Sequence, residues 1–274
     1  MLSTNSLGSI PGLLVRLRCG WRPFLRGSKS SLKEEVLVIV AAGELGDESR
    51  ILQQLKKLRA RFRVVAADGG YLHCVALGLD PEILVGDLDS LPSRYHADAR
   101  ARVPQVYQHP ADKNESDLAL ALERASALLK TGGVRARKLV LLGVTGGRDD
   151  HHHAALLEIS EFARRSSLQT VVLGHQSDWY FARPREAPVE VDLEAGQVVS
   201  LFAASQTVRG LKTQGLKWDG SQVRLLRPGS RGLSNVATST RVRIEVDTGC
   251  VWVVVPHGSS PQLGGRSGKR KKLP

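Results

Sequence analysis

VVAADGGYLHCVALGLDPEILVGDLDS, residues 64–90, decides the fold. It holds two short apolar runs, Val64–Ala67 and Ile83–Val85, and each ends on acid. Asp68-Gly69-Gly70 follows the first and Gly86-Asp87-Leu88-Asp89-Ser90 the second. Short β-branched runs bounded by turn residues read as buried strands. Between them, Tyr71–Leu77 reads as a helix stopped by Gly78, with Pro81 ahead of the second strand. Strand, helix, strand is the repeating unit of a parallel sheet. Acidic residues at the ends of such strands face the crevice where open α/β sheets bind ligands. Carboxylates held there suit a hard cation such as Mg²⁺, which takes oxygen ligands and bridges to substrate phosphates.

The same grammar extends in both directions. Val36–Ala42 reads as a first strand, and Asp47 as the cap of a helix carrying Ile51, Leu55 and Leu58 on one side. Further on, the spacing predicts a helix over 114–130, a strand over 138–142, a helix over 151–165 and a strand over 168–174. Residues 35–176 are therefore expected to form a doubly wound, Rossmann-like parallel sheet. After Gln176 helical periodicity stops. Short alternating runs at 189–193, 198–202, 223–226, 242–246 and 251–255, separated by turns, predict an antiparallel β-sandwich over 177–257.

The net charge of +12 belongs to the two ends. Arg16, Arg18, Arg22, Arg26, Lys29 and Lys33 stand in a segment without acid, and so do Arg266, Lys269, Arg270, Lys271 and Lys272. The body between is close to neutral, which argues against a nucleic-acid-binding domain, since that needs a basic face of its own. The flanks 1–34 and 258–274 are expected to be basic, disordered extensions. Three cysteines without paired spacing exclude a disulfide framework and fit a reducing, cytoplasmic compartment. The Arg-rich, acid-free start also has the composition of an organelle transit peptide. No apolar run approaches the roughly 18 residues of a membrane span.

Three constellations carry chemistry. Asp68, Asp87 and Asp89 are joined by Asp117, in the first turn of the helix after Lys113-Asn114-Glu115-Ser116. Any one of these aspartates is equally a turn former, but four at successive strand ends of one sheet form a pattern. Gly143-Val144-Thr145-Gly146-Gly147-Arg148-Asp149-Asp150-His151 leads from a strand into a helix start. Exposed backbone N–H groups and the helix dipole bind phosphate at such a place, and Arg148 adds a charged fork. Asp150 can serve instead as a helix cap. His151, His152 and His153 are consecutive and splay around a helix, so they do not form a zinc site. In the β-rich half, Trp218 beside Asp219-Gly220 is either a core residue or a stacking face for a flat cationic ligand.

Taken together and in this order, the motifs DGG (from Asp68), GDLDS (from Gly86), Ser116-Asp117, GGRDDH (from Gly146), GLKW (from Gly215) and GLSN (from Gly232) resemble the thiamine pyrophosphokinase family. The resemblance covers about residues 36–256. It implies an ATP-dependent pyrophosphotransferase that converts thiamine and ATP to thiamine diphosphate and AMP. It also implies a homodimer, with each site between the α/β domain of one subunit and the β-domain of the other. Carried over by position, Asp87, Asp89 and Asp117 would hold Mg²⁺ with Asp68 beside them. Gly69, Gly70, Lys113, Ser116, Gly146, Gly147, Arg148, Asp150 and His151 would serve the nucleotide. Trp218 would stack on thiamine, with Ser234 and Asn235 lining its pocket. Family members usually carry aspartate where this chain has Asn114, which implies a raised metal requirement here. Two competing readings are a nucleotide-sugar transferase using Asp87-Leu88-Asp89 and a non-catalytic thiamine-binding module.

Overall fold

The computed structural model describes residues 34–222, 225–227 and 229–258. The expected basic flanks therefore lie outside the described residues, apart from Glu34 and Gly258. Apolar, β-branched runs form the six parallel strands: β1 (Glu35–Val40), β2 (Arg61–Ala67), β3 (Ile83–Gly86), β4 (Gln105–Gln108), β5 (Ala136–Leu142) and β6 (Gln169–Leu173). Five helices alternate with them: α1 (Glu48–Lys57), α2 (Gly70–Leu77), α3 (His96–Arg102), α4 (Asp117–Lys130) and α5 (Asp149–Arg165). Local sequence sets their ends. The Asp47 side chain accepts from Arg50 N–H at 3.1 Å to start α1, and Ser116 does the same for Ala119 N–H at 3.0 Å to start α4. Gly78 ends α2 in the left-handed region, at φ 64°.

The parallel strands stand in the order β4-β3-β2-β1-β5-β6. The chain winds outward from β1 to β4, then returns to lay β5 on the other side of β1. The crevice between the ends of β1 and β5 is thus the point where the winding reverses. β1 sits at the centre and shows why the core has two layers. Val36, Val38 and Val40 pack in the layer that holds residues of α1, α2 and α3, whereas Leu37 and Ile39 pack in the one holding α4 and α5.

The β-rich half is not detached from this sheet. β7 (Ser177–Ala182) pairs antiparallel with β6, and β13 (Val251–Pro256), β9 (Val198–Ala203) and β11 (Asn235–Val236) follow, making one ten-stranded sheet. A second, three-stranded antiparallel sheet is formed by β10 (Lys212–Gln214), β12 (Arg241–Glu245) and β8 (Val189–Asp192). β13 alternates between the two environments. Val251, Val253 and Val255 pack in the same cluster as Val191, Val242 and Ile244 of the small sheet. Trp252 and Val254 face the helical layer, where Trp252 Nε1 donates to Ser160 Oγ on α5 at 2.8 Å. The α5 side and the small sheet therefore cover opposite faces of the extension. Arg50 of α1 fastens the junction through Asp178 of β7 at 2.7 Å and the Gly174 carbonyl at 3.0 Å. Of the strand expected over 223–226, residues 223 and 224 lie outside the described residues, and Leu226 makes an isolated bridge to Thr207. Among the described residues no helix is long and apolar enough to cross a membrane.

Candidate active site

The ends of β2 and β3 bring the acidic turns together. Asp68 follows β2 in the left-handed region, at φ 46°, and its N–H donates to the Val85 carbonyl at 2.8 Å. That conformation is costly for a non-glycine residue and is held here by the neighbouring strand. It places a carboxylate that is only 2% exposed against the second turn. Gly86 makes the approach possible: a Cβ there would lie 2.8 Å from Asp68 Cβ and 3.1 Å from Asp117 Oδ1. One Asp68 oxygen, Oδ2, accepts from Ser90 N–H at 3.2 Å, while the buried Oδ1 has no hydrogen-bond partner. Asp87 Oδ1 accepts from Asp89 N–H at 3.1 Å. Carboxylate oxygens of Asp68, Asp87 and Asp89, one from each, lie within 4.8 Å of one another.

Asp117 stands next to this trio and is tied to it through Lys113. The Lys113 ammonium is 2.9 Å from Asp87 Oδ2 and 3.2 Å from Asp117 Oδ1. Its hydrogen bond to Asp87 holds that carboxyl below the usual aspartate range. Burial pushes the Asp117 carboxyl up, with the Asp68 and Asp87 charges adding to it, against the pull of Lys113. Asn114 is exposed.

A converging set of carboxylates in which two buried oxygens, Asp68 Oδ1 and Asp117 Oδ1, lack a hydrogen bond is the donor chemistry of a hard, oxygen-seeking cation. An unpaired buried oxygen is costly unless something binds it. The residues present fit Mg²⁺.

The second wall is the turn between β5 and α5. Gly146 and Gly147 both take the left-handed conformation, at φ 79° and 67°. Successive backbone N–H groups in such a turn form an anion-binding concavity at the start of the helix. Glu44 already reaches it, accepting from Gly147 N–H at 3.0 Å while pairing with His175 at 3.0 Å. Arg148 is 71% exposed and pairs with Asp150 at 2.6 Å. That hydrogen bond draws the Asp150 carboxyl down to about 2. Arg148, not Asp150, occupies the cap position of α5, and it makes no side-chain cap bond. His151 and His153 are exposed, whereas His152 is half-buried with its ring edge-on to Trp179.

Between these walls lies a cleft of 740 Å³ at the switch point, lined by Ala41–Gly43, Asp68, Ser116, Asp117, Gly143, Gly146–Arg148, Asp150 and His151. Ser90 and Glu158 line it as well, and Ser116 Oγ donates to the Glu158 carboxylate at 2.8 Å. Glu44 and Glu158 were not singled out by the sequence, and Ser90 entered only as the last residue of the GDLDS motif. Glu44 alone carried a signal there, as an acid just past the end of the first strand. Gly69 and Gly70 form the start of α2, and a Cβ on Gly70 would sit 2.1 Å from the Val40 carbonyl oxygen.

Trp218, Ser234 and Asn235 do not line this cleft. Trp218 is 51% exposed, with Lys217 Nζ over its ring at 5.2 Å from the centroid. Asn235 is buried and grips the Trp218 main chain. Ser234 takes φ 56°, and its N–H donates to Ser200 Oγ at 3.1 Å.

Comparisons with known proteins agree on one family. The thiamin pyrophosphokinase catalytic-domain family matches residues 55–172, and the thiamin pyrophosphokinase vitamin B1 binding-domain family matches residues 187–251. A curated relative, thiamine pyrophosphokinase of Bacillus subtilis, is 24% identical over 154 residues, covering 56% of this chain and 68% of its own. The crystal structure of the Bacillus subtilis thiamine pyrophosphokinase superposes with a TM-score of 0.65 at 19% identity, over 81% of this chain and 99% of that one. Thiamin pyrophosphokinase from Candida albicans shares the fold with a TM-score of 0.64 at 11% identity, over 81% and 89% of the two chains. The catalytic match spans the acidic turns and the Gly-rich turn, and the second match spans Trp218 and Asn235. The chain belongs to the thiamin pyrophosphokinase family.

Proposed function

We propose that this chain transfers the pyrophosphoryl group of ATP to the hydroxyl oxygen of thiamine, giving thiamine diphosphate and AMP. The observation that carries the reading is the Asp68–Asp87–Asp89 trio, whose buried Asp68, with its unpaired oxygen, lines one cleft together with Asp117 and a Gly-rich turn. Asp87, Asp89 and Asp117 hold Mg²⁺ with Asp68 beside them, and the ion supplies charge neutralisation on the triphosphate. The Gly146 and Gly147 N–H groups and Arg148 orient the phosphates, with Gly69, Gly70, Lys113, Ser116, Asp150 and His151 completing the nucleotide site. The thiamine oxygen attacks the β-phosphorus, the bond to the α–β bridging oxygen breaks, and AMP leaves with that electron pair. Positioning and electrostatics do most of this work, as in phosphoryl transfer generally. The hydroxyl proton passes to an aspartate at the mouth, Asp68 or Asp117.

The active unit is a homodimer in this proposal. Trp218, Ser234 and Asn235 form the thiamine side but stand outside the cleft lining of their own chain, as expected if they serve the cleft of a second copy. A thiamine ring, flat and cationic, suits the half-exposed indole. Residues 35–176 then act as the ATP- and metal-binding part and 177–257 as the thiamine-binding part. A nucleotide-sugar transferase would leave the Gly-rich turn without a role, and a non-catalytic binding module would have no use for the carboxylate trio.

The test is AMP release from ATP and Mg²⁺, with and without thiamine, in wild type and Asp87→Ala. Thiamine-dependent AMP that vanishes in the variant is expected. Thiamine-dependent ADP in place of AMP, or no thiamine-dependent product from a folded dimer, overturns the reading. Mixing inactive Asp87→Ala with Trp218→Ala chains, assayed at thiamine far below the KM of the Trp218→Ala variant, tests the shared site, since hybrid dimers should regain part of the activity.

A further inference from the structure

We propose that Lys113 is a surrogate cation, an internal ammonium that holds the metal seat of the free protein and must be displaced before Mg²⁺ can bind. The inference rests on the metal reading of the aspartates given above and adds a step to it. Both oxygens of Asp87 are engaged in this structure: Oδ1 by Asp89 N–H at 3.1 Å and Oδ2 by the Lys113 ammonium at 2.9 Å. The same ammonium lies 3.2 Å from Asp117 Oδ1. Its side chain is 12% exposed and that of Asp87 is 11% exposed, so the pair sits inside the cluster and not on its rim. A cation using Asp87 and Asp117 together needs the position the ammonium holds.

The two ends of the cluster differ in a way this explains. Asp87 is hydrogen-bonded by Lys113 and Asp117 lies within ion-pair distance of it, its Oδ1 still without a hydrogen bond, while Asp68 Oδ1 is buried with neither. One monovalent charge reaches two carboxylates and not the third. A divalent ion that displaces it brings one more positive charge to the cluster and releases a long, flexible ammonium. Lys113 thereby exchanges carboxylate partners for phosphate oxygens, so that the order of events is metal in, ammonium out, phosphate gripped.

The test is Mg²⁺ binding to the full chain, without nucleotide, by isothermal titration calorimetry in wild type, Lys113→Met and Lys113→Arg. Removing the competitor should tighten Mg²⁺ binding about tenfold, the effect of losing an ion pair worth about 1.4 kcal/mol. Lys113→Arg keeps the charge and should bind no tighter than wild type. Equal or weaker binding by a folded Lys113→Met chain overturns the inference. If that variant folds only when Mg²⁺ is added, the metal has replaced the ammonium and the inference stands. If it stays unfolded at saturating Mg²⁺, the inference falls. Absence of Mg²⁺ binding in wild type and variants alike overturns the metal reading itself, and this step with it.

Discussion

Asn235 clamps the main chain of Trp218 from both sides. Its Oδ1 accepts from Trp218 N–H at 3.0 Å and its Nδ2 donates to the Trp218 carbonyl at 2.8 Å. The same Oδ1 accepts from its own successor, Val236 N–H, at 2.8 Å. The Oδ1 of this buried amide already accepts from two backbone N–H groups, and Nδ2 spends one of its two hydrogens on the Trp218 carbonyl. On the proposed function, Asn235 would serve thiamine mainly through the indole it positions. Asn235→Ala should cost about 2 kcal/mol in stability, because buried backbone groups lose their partners. It should also raise the KM for thiamine several-fold at little change in kcat. Trp218→Ala should raise that KM while leaving stability within about 0.5 kcal/mol, as an exposed side chain predicts. Urea unfolding and thiamine titrations on the two variants separate the roles. A stable Asn235→Ala chain with unchanged KM would refute the clamp.

Asp68 combines a costly backbone conformation with an unpaired buried oxygen. Asparagine tolerates the left-handed region about as well as aspartate and keeps an oxygen acceptor for Ser90 N–H. Asp68→Asn should therefore fold with near wild-type stability yet lose activity by about 10²–10³, the usual cost of removing one preorganised electrostatic group. A melting curve beside a rate measurement checks both halves. A large stability loss would mean that the charge serves the fold.

The strand ends that carry Asp68, Asp87 and Asp89, the Asp47 and Ser116 caps and the Gly78 stop were legible because each is a local pattern. What the sequence hid is non-local. β7 carries tryptophan, tyrosine and phenylalanine among polar residues, and it becomes a strand only because β6 and β13 flank it. That pairing continues the parallel sheet into the β-rich half. β4 is a short edge strand with a weak alternation, set by β3 alone. At the site, Lys113 reaches Asp87 across 26 positions and Asn235 reaches Trp218 across 17, so neither contact leaves a mark on any local window.

Glu44 occupies part of the phosphate turn, accepting from Gly147 N–H with one oxygen and pairing with His175 through the other. A phosphate oxygen at that N–H has to displace a carboxylate, against like-charge repulsion. Glu44→Gln keeps an acceptor but removes the charge, so ATP should bind more tightly, with KM lowered about three-fold, a gain of the size of one exposed charge interaction. Initial rates across an ATP series at saturating thiamine give the answer. A raised KM would show that Glu44 instead shapes the turn, as its close packing against Gly146 also allows.

Far from the cleft, Arg63 of β2 pairs with Glu82 at 2.6 Å and Glu35 of β1 at 3.3 Å, and donates to the Gly133 carbonyl at 2.8 Å. Glu35 also accepts from Arg135 N–H at 2.8 Å. That backbone bond, helped by Arg63, holds the Glu35 carboxyl below its ordinary value of 4.5. A carboxyl lowered in the folded state binds protons more readily once unfolded. Its stabilisation is therefore complete above pH 4.5 and drains away as the pH falls below that value, through the lower folded pKa. Glu35→Gln removes this charge, so at pH 7 the variant should be less stable by about 1 kcal/mol. The gap between the two chains should shrink as urea unfolding is repeated below pH 4.5. A gap that stays constant with pH would place the loss in packing and not in the charge, because the ionised form gains more than the neutral one from the Arg63 and Arg135 contacts.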